Sequence, residues 1–153
     1  MKNNNIFNKE HFIENLSQTK SLASALADNI RGGEVLLFFG NLGAGKTAFI
    51  KYLANFLGVR GVVSSPTFNI LKVYNVAKNE RVKHFCHIDA YRLNSGKELI
   101  DLGIEEILDQ ADTVTAIEWA EKIKDIYPKK YIKIEIKTLD EKSRLIKIAK
   151  IKS

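Results

Sequence analysis

Only one of the 153 residues is cysteine, two are proline and one is tryptophan. A lone Cys86 cannot close an internal disulfide and suits a reducing, cytoplasmic setting. The longest apolar run, Val35-Leu36-Leu37-Phe38-Phe39, falls far short of the ~20 residues a membrane-spanning helix needs. Nothing like a leader's apolar core or small-residue cleavage site follows Met1-Lys2-Asn3-Asn4-Asn5, so no signal peptide is predicted. No repeat and no linker interrupts the chain, which predicts one domain over residues 1–153. No arginine-rich block interleaved with aromatics is present, which argues against a dedicated, tight nucleic-acid surface.

What is present is an ordinary globular composition, 45% hydrophobic and 27% charged, with a net charge of +6. Such a charge can attract RNA or acidic proteins, but the lysines are scattered as they would be over a solvated surface. Helical spacing of Leu22, Leu26 and Ile30 after Ser17-Gln18-Thr19 predicts an amphipathic helix capped by Ser17 or Thr19 and ended by Gly32-Gly33. The apolar run at residues 35–39 predicts a buried strand. Residues 40–45 predict a glycine-rich turn, and residues 46–57 a helix stopped by Gly58. Downstream, strands are expected at residues 70–76, 81–89 and 113–119, with a loop at 62–68 and a helix at 98–110 split at Gly103. Alternation at residues 131–137 and 143–151 predicts a terminal antiparallel pair. The pattern is that of an α/β fold with a mainly parallel centre and antiparallel edges.

The chemistry concentrates in Gly40-Asn41-Leu42-Gly43-Ala44-Gly45-Lys46-Thr47, which fits G-x-x-x-x-G-K-[ST] at every defined position. Glycines let such a loop curl its N–H groups onto phosphate oxygens, and the helix that follows adds its positive end. Lys46 is placed to reach the β- and γ-phosphates of a nucleoside triphosphate, and Thr47 to ligate Mg²⁺. Such sites also need an acidic group at a strand end. Asp89, closing His87-Ile88-Asp89, is one candidate and Glu118 the other, with Trp119 beside it either core or packed over the nucleotide. Ser65-Pro66-Thr67 stands between loop and Asp89, where a segment sensing the γ-phosphate can lie. His84 and His87 flank Cys86 with no second ligand cluster, which disfavours zinc. A guanine-specific reading is also disfavoured, because the one Asn-Lys pair, Asn8-Lys9, precedes the loop and no Asp has a Gly three residues later.

Together with Ser64-Ser65-Pro66-Thr67-Phe68, His87-Ile88-Asp89-Ala90-Tyr91-Arg92-Leu93 and Glu118-Trp119, the loop resembles the bacterial TsaE family over nearly the whole chain. These are P-loop ATPases of the tRNA threonylcarbamoyladenosine pathway. The resemblance implies a P-loop NTPase-like fold, with a four-stranded parallel centre, antiparallel flanking strands and helices on both faces. It implies ATP and Mg²⁺ as cofactors, slow hydrolysis, and service to a TsaB–TsaD complex that modifies adenosine 37, with tRNA contact at most indirect or weak. It further implies Thr47 and Glu118 around Mg²⁺, Asp89 in the Walker-B-like place, Ser65 and Thr67 as the switch, Trp119 by the nucleotide, and Ser17 to Thr19 near the base. Two positions depart from the family pattern: Asn41 stands where Asp is common, removing a negative charge beside the phosphates, and Ala120 where proline usually follows Glu-Trp. A P-loop small-molecule kinase is the alternative, although Arg92 and Arg144 are the only downstream arginines to serve a lid. A nucleotide-dependent binding module without useful hydrolysis is a third.

Overall fold

The computed structural model describes residues 5–66 and 68–153. Thr67, predicted as part of the switch, lies outside the described residues. A seven-stranded mixed sheet carries the chain, in the order β1-β7-β6-β2-β5-β4-β3. Its strands are β1 (Lys9–Ile13), β2 (Val35–Phe39), β3 (Leu71–Asn75), β4 (His84–Asp89), β5 (Thr113–Glu118), β6 (Lys130–Thr138) and β7 (Arg144–Lys152). The centre, β6-β2-β5-β4, is parallel, while β3, β7 and β1 pair antiparallel at the flanks.

Strand composition explains the order. β2, with sequence VLLFF, is apolar at every position and so belongs where both faces are covered. Leu36 and Phe38 face one core with Phe49, Ile50 and Leu53, on the side of α1 (Leu16–Asn29) and α2 (Lys46–Leu57). Val35 and Leu37 face the other, against α3 (Lys97–Asp101), α4 (Ile104–Leu108) and the 3₁₀ segment Ala120–Ile126. Phe38 and Phe49, both fully buried, meet at 5.7 Å between ring centroids and fix α2 on β2. Each contributes roughly 1.5–3 kcal/mol by burial. β6 and β7 alternate buried isoleucines with lysines, as strands with one covered face do.

Several boundaries differ from the sequence expectation. The cap of α1 is Asn15, whose side chain accepts from the Gln18 N–H at 3.0 Å, and not Ser17 or Thr19, which lie inside the helix. β4 starts at His84, three residues late, because Asn79 Oδ1 accepts from the N–H groups of Arg81 and Val82 and holds them in a turn. β5 ends at Glu118, since Trp119 turns to φ 57°. The helix at 98–110 is two short helices flanking Gly103, as its position suggests.

Candidate functional site

Because β2, β4 and β5 run parallel, their carboxyl ends emerge on one edge of the sheet. The glycine-rich loop leaves β2 there and passes into α2 through Gly45, at φ 108°, a conformation that favours glycine. Gly40 is required for a different reason. A Cβ on it would stand 2.7 Å from the carbonyl oxygen of Ile136, so only glycine lets the loop cross β6 this closely. Behind the loop, Arg144 at the start of β7 donates from Nε to the carbonyl of Ala44 at 2.9 Å and from Nη2 to that of Gly43 at 3.4 Å. Those carbonyls are thereby held by a side chain from the antiparallel flank of the sheet. Arg144 thus braces the loop, a role that its position in the sequence did not signal.

Lys46, 5% exposed, donates to the carbonyl oxygens of Gly40 and Asn41, and its Nζ lies 3.8 Å from the centroid of the Trp119 ring. Burial lowers its pKa below the ordinary lysine value, against the opposing pull of Glu118, Glu121 and Asp89. A desolvated ammonium of this kind gains strongly from an anion. Trp119 is held in the left-handed region, a costly conformation for a non-glycine residue, and packs against Tyr91 with ring centroids 5.0 Å apart and planes tilted by 53°.

Glu118 is 3% exposed and both its oxygens are engaged. Thr47 Oγ1 donates to Oε1 at 2.6 Å, and His87 Nε2 lies 2.8 Å from Oε2. Asp89 is the register partner of Glu118 on β4 but is half-buried. Its Oδ1 accepts from the Tyr91 N–H at 3.0 Å, and Ser65 Oγ donates to Oδ2 at 3.4 Å.

A cleft of about 300 Å³ is lined by Leu42, Gly43, Ala44, Gly45, Lys46 and Thr47, with Ser65, Asp89, Glu118 and Trp119 opposite. The fold therefore gathers residues from four sequence segments at one edge. Ala44 and Gly45 also line a neighbouring cavity of about 440 Å³, walled by Ile13, Thr19, Ile136 and Ile146. Thr19, 8% exposed, reaches that cavity, whereas Ser17 is exposed and lines neither space. Asn41 points its side chain outward to solvent, so its backbone and not its amide serves the loop.

Among the described residues no three His, Cys, Asp or Glu groups are clustered to hold a metal by themselves. The Thr47 hydroxyl and the Glu118 carboxylate instead offer two hard oxygens. That suits Mg²⁺, which is commonly bound through one or two protein groups plus phosphates and water. The mixed sheet, the glycine-rich loop opening a helix and the carboxylates at neighbouring strand ends define an α/β protein with a polar cleft at the carboxyl edge of its sheet.

Comparison with known proteins names the family. The model for "Threonylcarbamoyl adenosine biosynthesis protein TsaE" matches residues 13–146. The chain is 36% identical over 146 residues to the tRNA threonylcarbamoyladenosine biosynthesis protein TsaE of Rickettsia bellii, covering 94% of this chain and 96% of that one. It is 38% identical over 132 residues to the protein of the same name from Bacillus subtilis, covering 86% and 79%. The crystal structure of Bacillus subtilis YdiB superposes with a TM-score of 0.74 at 32% identity, over 95% of this chain and 86% of that one. The chain belongs to the TsaE family.

Proposed function

We propose that this protein binds ATP with Mg²⁺ at the carboxyl edge of its sheet and hydrolyses it slowly. On this reading it is an accessory of tRNA threonylcarbamoyladenosine biosynthesis, acting on a TsaB–TsaD complex and not modifying tRNA itself. The observation that carries the reading is the convergence of Lys46, Thr47 and Glu118 on one cleft under the loop. It is supported by membership of the family and by relatives named for this pathway.

In this reading the loop amides and the N-terminus of α2 bind the phosphate chain. Lys46, already desolvated, bridges toward the β- and γ-phosphates. Thr47 and Glu118 hold Mg²⁺, which neutralises charge on the phosphate oxygens during transfer. Asp89, half-exposed at the open side, orders water at the γ-phosphate, and Ser65 with Thr67 senses whether that phosphate is present. Trp119 shields the site, and Thr19 borders the cavity into which the base extends.

The test is ATP turnover by the pure protein, alone and with TsaB–TsaD. Slow Mg²⁺-dependent turnover that rises when the complex is added is expected. Turnover that stays flat would remove the accessory role. Phosphate appearing on a small molecule instead would favour a kinase.

A further inference from the structure

His87 is fully buried, yet it is not a satisfied core histidine. It lies on β4, two residues before Asp89, opposite Ala116 and diagonal to Glu118 on β5. Residues 85, 87 and 89 share one face of that strand, the face whose core includes Phe85, Val114 and Ala116 together with α2. His87 thus sits one layer below the cleft, between the carboxylates and the apolar interior. Its one hydrogen bond, at 2.8 Å, runs from Nε2 to Glu118 Oε2. Its other nitrogen, Nδ1, is buried with no hydrogen-bond partner. A carboxylate only accepts, so the bond requires a proton on Nε2, and Nδ1 contributes nothing to the contact.

An apolar residue would fill this layer without leaving a polar atom stranded. What the imidazole adds is a single donor to Glu118, from below. The carboxylate is then held at both ends, by His87 at Oε2 and by Thr47 at Oε1. We propose that His87 is a positioning residue that fixes the rotamer of Glu118, so that Oε1 faces the Thr47 hydroxyl and the two oxygens form a preset half-site for Mg²⁺. Buried carboxylates that ligate metals depend on such supporting hydrogen bonds. The inference rests on Mg²⁺ binding at Thr47 and Glu118 as proposed above.

Trp119 is the only tryptophan and lines the cleft, so its fluorescence reports on occupancy. The experiment titrates Mg²⁺ into protein saturated with a non-hydrolysable ATP analogue, for the native chain, His87→Phe and His87→Gln. A glutamine amide can present a donor near the place of Nε2, whereas phenylalanine cannot. For His87→Phe, the Mg²⁺ needed for half-saturation should rise roughly 10- to 100-fold, the range seen when supporting partners of metal ligands are removed. Its metal-free affinity for the analogue should stay near the native value, because His87 does not line the cleft. His87→Gln should return the Mg²⁺ requirement most of the way to the native value. A folded His87→Phe protein with native Mg²⁺ dependence would overturn the proposal. So would a folded His87→Gln protein that binds Mg²⁺ as weakly as His87→Phe, or one with a tenfold loss should the Phe variant not fold. If the native chain itself binds the analogue with no response to Mg²⁺, the metal-site reading fails with it, an outcome distinct from the other three.

Discussion

The ends of β4 and β5 are neighbouring strands in the same register, and each finishes on a carboxylate. Their surroundings divide them. Glu118 is buried to 3% exposure and bonded by two side chains, Thr47 from the loop helix and His87 from the layer below. Asp89 is half-buried, bonded by a backbone N–H and by a serine hydroxyl at 3.4 Å. A buried, doubly held carboxylate keeps one geometry and suits a metal that demands a fixed octahedral shell. A half-exposed one in contact with an exposed loop residue suits ordering water or following that loop. The strand ends thus offer different environments, although their residues look equivalent in the sequence.

That contrast can be broken by substitution. Glu118→Ala should give the largest effect, lowering Mg²⁺-dependent ATP turnover on the order of 100-fold or more, as loss of a ligand must exceed loss of its support. Its fold should be retained by circular dichroism at some cost in stability, because His87 Nε2 loses its partner. Asp89→Asn should lower turnover by about 10-fold, less than the ~10²–10⁴-fold typical of a group that itself transfers the proton, because an ordering group only positions the water. The Mg²⁺ requirement should move little. Equal loss of Mg²⁺ affinity in both variants would erase the distinction. Asn41→Asp should have the smallest effect, within about threefold in nucleotide affinity, because an exposed side chain at this position is screened by solvent. A tenfold gain in turnover would instead assign the family's usual carboxylate a direct part in hydrolysis.

Much of this arrangement was legible before any coordinates. The apolar run of β2, the glycine-rich loop and the periodicity of α2 each carry their own local signal, and the structure places them as expected. Strand ends and motif order point to Asp89, Glu118, Trp119 and Ser65, and all four reach the cleft. Other features depend on partners distant in sequence. β1, Lys9–Ile13, has no alternation to announce it and exists by pairing with β7 at the sheet's edge. Arg144 braces the loop across about 100 residues of sequence, a contact that no local pattern encodes. His87 looked like one of two histidines around a cysteine, and its place beneath Glu118 follows only from the parallel pairing of β4 with β5. Ser17, by contrast, resembles a helix cap, but Asn15 takes the cap two residues earlier and leaves Ser17 exposed inside the helix.

The most direct measurement is the affinity for a non-hydrolysable ATP analogue with and without Mg²⁺, read by calorimetry for the native chain, Glu118→Gln and Asp89→Asn. The account predicts that Mg²⁺ tightens binding in the native chain and in Asp89→Asn, and that this tightening is lost in Glu118→Gln. A native chain that binds no analogue, or tightening that survives in Glu118→Gln and vanishes in Asp89→Asn, would contradict it.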